Sequence, residues 1–141
     1  MSSESCNYIC KAFYELKLLQ DFLQDSQTKF FGNLLAKIVG TDTIPFLLTT
    51  TKGDLLTISN VQDGFETNYF RIELVDLEKC CVTISLLRPI DIEGNVSNAP
   101  CDVVRLEKTS ICRVIDTNFI CAIQTLETKM LTRKIIIEPK W

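Results

Sequence analysis

Two stretches of strict two-residue alternation, separated by four residues, constrain this chain more than any other feature in it. In Asn68 to Val75, Phe70, Ile72 and Leu74 fall on one side, with Tyr69, Arg71 and Glu73 on the other. In Cys80 to Leu87, Cys80, Val82, Ile84 and Leu86 fall on the apolar side, while Cys81 shares the polar side with Thr83 and Ser85. A period of two belongs to strands with one buried face. The spacer Asp76-Leu77-Glu78-Lys79 is short enough to join the two as an antiparallel hairpin.

The rest of the chain is built around this hairpin. From Ser5 to Gln24 the period is helical instead, with Ile9, Phe13, Leu16, Leu19 and Leu23 recurring every three or four residues. Asp25 to Thr28 breaks that pattern, and Phe30 to Val39 reads as a second short helix ending at Gly40. Ile44 to Thr51 is β-branched and apolar, and Thr51-Lys52-Gly53-Asp54 turns the chain into Leu55 to Ser59. Arg88 to Pro100 holds Pro89, Gly94, Asn95 and Asn98 and reads as the main loop. Val103 to Leu106, Ser110 to Ile115 and Phe119 to Leu126 follow as strands. The last two are apolar on both faces, Arg113 excepted, as central or contact-buried strands are. Lys134 to Glu138 supplies an edge strand. The expectation is one domain over residues 1–141, helical over 1–40 and β-rich over 41–138. Its fold is mainly β with an N-terminal helical segment, a compact antiparallel β-sandwich or barrel.

Composition narrows the chemistry. A chain of 141 residues with 46% hydrophobic side chains builds a core without needing disulfides to hold it. The net charge of −3 and the lack of a long basic run argue against nucleic-acid binding. No apolar stretch approaches the roughly 18 residues that span a bilayer, so no membrane insertion is expected. Met1 to Cys6 shows no secretory pattern, which makes a reducing cytoplasm the expected place of synthesis. Seven cysteines and no histidine leave thiols as the main reactive groups. Without imidazole there is no Ser-His or Cys-His nucleophile. The cysteine spacings do not form paired zinc ligands, and neither a Cys-x-x-Cys redox motif nor a Gly-rich phosphate loop is present. The expectation is therefore no enzyme, no cofactor and no metal. Asn95-Val96-Ser97 fits a glycosylation sequon, a pattern that arises often by chance.

An odd number of cysteines leaves at least one thiol unable to pair within the chain. Strand parity separates two of them. Cys80 is expected as a small buried hydrophobe, and Cys81 as the outward thiol of the hairpin. Neighbouring strand cysteines point apart and do not bond each other.

Several stretches, in order, carry a resemblance. They are Asp42-Thr43-Ile44-Pro45-Phe46, Tyr69-Phe70-Arg71-Ile72-Glu73 and Cys81-Val82-Thr83-Ile84-Ser85-Leu86-Leu87-Arg88-Pro89. Cys101, Arg105-Leu106-Glu107-Lys108-Thr109, Cys112, Val114-Ile115-Asp116 and Phe119-Ile120-Cys121-Ala122-Ile123-Gln124 follow. Together they resemble the CotY/CotZ family of cysteine-rich spore coat and exosporium proteins. The resemblance implies a structural protein of the bacterial spore surface, in the outer coat, crust or exosporium, made in the mother-cell cytoplasm. It implies self-assembly, with itself and paralogous coat proteins as partners. It also implies intermolecular disulfides, with Cys10, Cys81, Cys101, Cys112 and Cys121 as candidate cross-link positions. Ser26, Phe30, Gly64, Phe119 and Thr125 stand where the family carries further cysteines, so the thiol set is reduced. A soluble adaptor that recruits another coat protein is the alternative reading, and a thiol-dependent redox protein a more remote one.

Overall fold

The computed structural model describes residues 3–25, 43–97, 99–126 and 136–138. Helix α1 spans Ser3–Asp25. Eight strands follow: β1 (Phe46–Thr50), β2 (Ile58–Asn60), β3 (Phe65–Thr67), β4 (Phe70–Asp76), β5 (Cys81–Asp91), β6 (Val103–Asp116), β7 (Ile120–Thr125) and β8 (Ile136–Glu138). Two short 3-10 turns, Pro100–Asp102 and Thr117–Phe119, precede β6 and β7. The expected second helix at Phe30 to Val39 lies outside the described residues.

The hydrogen-bonded order is β7-β1-β4-β5-β6-β8, with β2 and β3 as a separate pair. All neighbours in the larger sheet are antiparallel except β6 and β8. Connectivity shows how this sheet folds. The β1–β7 ladder meets the β4–β5–β6 ladder at a single residue pair, Phe46 with Phe70. At the opposite end of both ladders, β6 finishes at Asp116 and β7 starts at Ile120, paired with Thr50. Three intervening residues reach only about 3.3–3.6 Å each, so the far ends must also lie close together. Joined at both ends, β1–β7 folds over β4–β5–β6 as a second layer. The expected mainly β, sandwich-like fold with an N-terminal helix is the one observed.

Between the layers lie Phe46, Leu48 and Ile120 from one side and Phe70, Ile72, Val82, Ile84 and Leu86 from the other. Helix α1 adds Phe13 and Leu16, and the Phe13 ring meets Phe46 edge-on at 6.2 Å between centroids. Along α1 the buried stripe is Cys10, Phe13, Leu16 and Gln20, the three- and four-residue steps that a helix requires. Leu19, expected on this stripe, is 57% exposed, and Gln20 occupies the place instead. A buried amide needs a partner: Gln20 Oε1 accepts the Ile44 backbone N–H at 2.8 Å and so pins the chain entering β1.

The hairpin forms as expected, closed by the Asp76–Cys81 pair. The Asp76 carboxylate accepts the backbone N–H groups of Glu78 and Lys79 at 3.1 Å each, which stabilises the turn. Three expectations need correction. A register shift between Ile72 and Leu74 reverses parity along β4, so Val75 packs inward and Leu74 is 63% exposed. Strand β5 does not stop at Leu87 but continues through Pro89 to Asp91, inside the expected loop. Proline is tolerated there because β4 pairing ends at Leu86. The Pro89 carbonyl accepts Ser97 N–H on the edge away from β6, so its missing donor faces an edge with no strand ladder. Finally, Val103 to Asp116 is one strand rather than two, and its outer half and β7 are largely solvent-facing rather than buried on both sides.

Candidate assembly surface and its thiols

The outward face of the β4–β5–β6 layer carries two of the expected thiols. Cys81 opposes Asp116 and Ser85 opposes Cys112, so both thiols project from one face, on adjacent strands and two pairs either side of Thr83–Val114. Cys81 is half-buried and Cys112 exposed. Between them runs an apolar row across three strands, Leu74 opposite Thr83 opposite Val114, with Val114 70% exposed. Below this row, Arg71 is buried. Its Nε donates to Thr43 Oγ1 at 3.1 Å and its Nη1 to Glu73 Oε2 at 2.5 Å. Ser85 Oγ donates to the same carboxylate oxygen at 2.7 Å.

The remaining candidates are dispersed. Cys101 is exposed on the turn before β6. Cys121 is exposed where the β1–β7 register shifts, its Sγ 3.3 Å from the Thr50 carbonyl, and it borders a shallow groove with Tyr8, Thr51 and Asn118. Cys10, by contrast, is buried on the inner stripe of α1, its Sγ 3.3 Å from Thr117 Oγ1. A side chain in that position is out of reach of another folded protomer, so Cys10 does not belong with the surface candidates.

Cys80 also departs from its expected place. It is buried, but as the last residue of the turn rather than the first of the strand, with φ at 54°. That left-handed conformation costs a residue with a Cβ roughly 1–2 kcal/mol. Cys80 is also disulfide-bonded, so it is not simple apolar filler. Alternation gave no sign of either property. Among the described residues, no group of three His, Cys, Asp or Glu side chains is placed to hold a metal ion, and no helix is long and apolar enough to cross a membrane.

The cysteines described above fall within a longer match. The family model for Spore coat protein Z matches residues 4–128. This chain belongs to that family. Spore coat protein Z of Bacillus subtilis (strain 168) is 30% identical over 147 aligned residues, covering 94% of this chain and 97% of the relative. No solved structure matches. Membership assigns the chain a structural role in the spore coat.

For a spore coat family member, the chemical state of the surface thiols matters. The Cys112 thiol is pushed above its ordinary pKa, first by partial burial and then by the nearby Glu73 carboxylate, with Arg113 and Arg71 opposing. Thiolate is the reactive form, so a raised pKa means less of it at neutral pH. Alkylation of Cys112, followed by peptide mass spectrometry, is therefore expected to be slow at pH 7 and to rise with pH through a midpoint above the ordinary thiol value. Glu73→Gln removes the negative neighbour and is expected to speed labelling at neutral pH a few-fold. Equal rates in the two proteins would show that the carboxylate does not act on the thiol.

Proposed function

We propose that this protein is a self-assembling protomer of an outer spore layer, whether coat, crust or exosporium, made in the mother-cell cytoplasm and reinforced by disulfides between chains. The observation that carries the reading is the placement of Cys81, Cys101, Cys112 and Cys121 on the outside of a family member whose core is complete without them. Many weak contacts repeated in a layer hold without any single strong one, and disulfides formed later under oxidising conditions lock contacts already made. Copies of itself and paralogous coat proteins are the partners in this reading, and catalysis has no part in it.

Non-reducing gels and electron microscopy of the purified protein, with and without reductant, test it. Ordered assemblies are expected in both conditions, with a covalent ladder only in the oxidised sample. Replacing Cys81, Cys101, Cys112 and Cys121 together with serine should remove the ladder, whereas Cys10→Ser should leave it. A protein that stays monomeric under oxidising conditions at every concentration would sink the proposal. The adaptor reading draws support from α1, where Tyr14, Leu18 and Phe22 form an exposed stripe at four-residue steps. A clean monomer binding one coat protein at fixed stoichiometry would favour it.

A further inference from the structure

The outward face of the β4–β5–β6 layer is arranged in matched halves. Its apolar row, Leu74–Thr83–Val114, has Cys81 two residue pairs to one side, on β5, and Cys112 two pairs to the other side, on β6. At about 3.3 Å per residue, each thiol lies about 7 Å from the apolar row along the strands. The two ends differ in charge. Beside Cys81 stand Asp76 and Asp116, its partners on β4 and β6, and the turn adds Glu78 against Lys79. At the other end the Arg71–Glu73 pair is balanced, and exposed Arg113 folds back so that its Nη1 donates to the Cys112 carbonyl at 2.9 Å. One end is thus acidic and the other basic. The row between them is open to solvent, with Leu74 63% and Val114 70% exposed.

We infer that this face packs against the same face of a second copy about a two-fold axis along the apolar row, with Cys81 of each chain disulfide-bonded to Cys112 of the other. Rotation about that axis lays Leu74, Thr83 and Val114 against their own counterparts. It carries Cys81 of one copy over the Cys112 end of the other and does the reverse in the same operation, as an isologous contact requires. The acidic end of each chain then meets the basic end of its neighbour. The spacing identifies the occupant: any other protein would need two thiols and two charged ends at the same separations. Facing sheets pack about 10 Å apart, and a disulfide crosses that gap between the two sheets of an immunoglobulin domain. The short side chains of Thr83 and Val114 at the centre allow as close an approach here. Each bond forms by two exchanges with a low-molecular-weight disulfide as oxidant. The Cys81 thiolate attacks it and releases one small thiolate. The Cys112 thiolate of the facing copy then attacks the Cys81 sulfur, closes the interchain bond and releases the second. The two cysteine protons end on the two released thiols, and the oxidant gains the two electrons that the cysteine sulfurs lose. The inference rests on the self-assembly reading above and supplies one contact of it.

The test uses the full chain with Cys101→Ser and Cys121→Ser, so that Cys81 and Cys112 are the thiols left at the surface among the described residues. Oxidised glutathione is expected to give a covalent dimer on a non-reducing gel, and reductant to dissolve it. Adding either Cys81→Ser or Cys112→Ser should abolish the dimer. Mixing those two variants should restore it, because one chain still offers Cys112 and the other Cys81. A single variant that dimerises alone, or a mixture that does not, overturns the pairing. Val114→Lys sets two like charges against each other on the axis and is expected to slow dimer formation at least about tenfold, with circular dichroism unchanged. Mixing it with Val114→Glu should recover the rate. An unchanged rate in Val114→Lys overturns the two-fold contact. Electron microscopy of the same proteins under reductant separates this inference from the reading beneath it. Layers that form while no Cys81–Cys112 bond ever appears sink the contact and leave the layer, whereas a dimer without layers upholds the contact and sinks the layer.

Discussion

Replacing Phe46 with alanine is expected to lower the unfolding free energy by about 3–5 kcal/mol, a large share of the total stability of a domain this size. Phe46 has no exposed surface, and its ring lies 6.2 Å from both Phe13 and Phe70. It also forms the one residue pair through which the β1–β7 ladder joins β4. Its loss opens a cavity at the junction of helix and both layers, where neither layer can close in without breaking that pair. Urea unfolding followed by tryptophan fluorescence or circular dichroism measures the shift in midpoint. Leu74→Ala provides the contrast: an exposed side chain beyond the register shift, with an expected change within about 0.5 kcal/mol. Similar losses at the two positions would mean that β4 keeps its simple alternation and that the shift in register is wrong.

The second large effect is expected at Glu73. Its carboxylate is about one-third exposed, but the Arg71 side chain it pairs with is only 6% exposed. Glu73→Ala removes the charge partner of a buried guanidinium whose Nη2 already finds no hydrogen-bond partner. Leaving a buried charge uncompensated costs about 3 kcal/mol. Arg71→Met is expected to behave oppositely and to be close to neutral, because it removes the desolvated charge along with the need for its partner. A double-mutant cycle on the two positions should return a coupling above about 1 kcal/mol. Additive losses would show that Arg71 reaches solvent and that the pair contributes little.

The hairpin was legible because local signals agree there: alternation on both arms and a four-residue spacer with an aspartate to cap it. The inward set Phe70, Ile72, Val82, Ile84 and Leu86 followed directly from it. What alternation could not show is where a strand adds a residue. The shift after Ile72 depends on pairing with β5, so Leu74 and Val75 exchange faces without any local mark. Pro89 misled for a related reason. Proline argues against a strand only where both edges are paired, and the end of β4 pairing is a tertiary fact. Among the thiols, parity placed Cys81 outward, and Cys10 lies one helical step before Phe13 on the buried stripe; what spacing does not reveal is its contact with Thr117, 107 residues away. A cysteine with positive φ is likewise visible only in the folded turn.

The double closure of the sandwich also bears on the order in which the chain folds. β1 is made early but takes its ladder partner from β7, near the far end of the described chain, and the parallel β6–β8 pair forms later still. Contacts this distant in sequence carry a loop-closure cost before they give any stability, and such topologies fold in milliseconds to seconds rather than microseconds. During synthesis the β4–β5 hairpin can form on its own, while β1 waits with an open edge until Ile120 to Thr125 emerges. During that interval the open edge of β1 is exposed to pairing with strands of other chains. An available chaperone, or faster synthesis of the stretch that carries β7, would shorten or cover that interval and raise the yield of correctly folded chains, with no change to any contact of the finished fold.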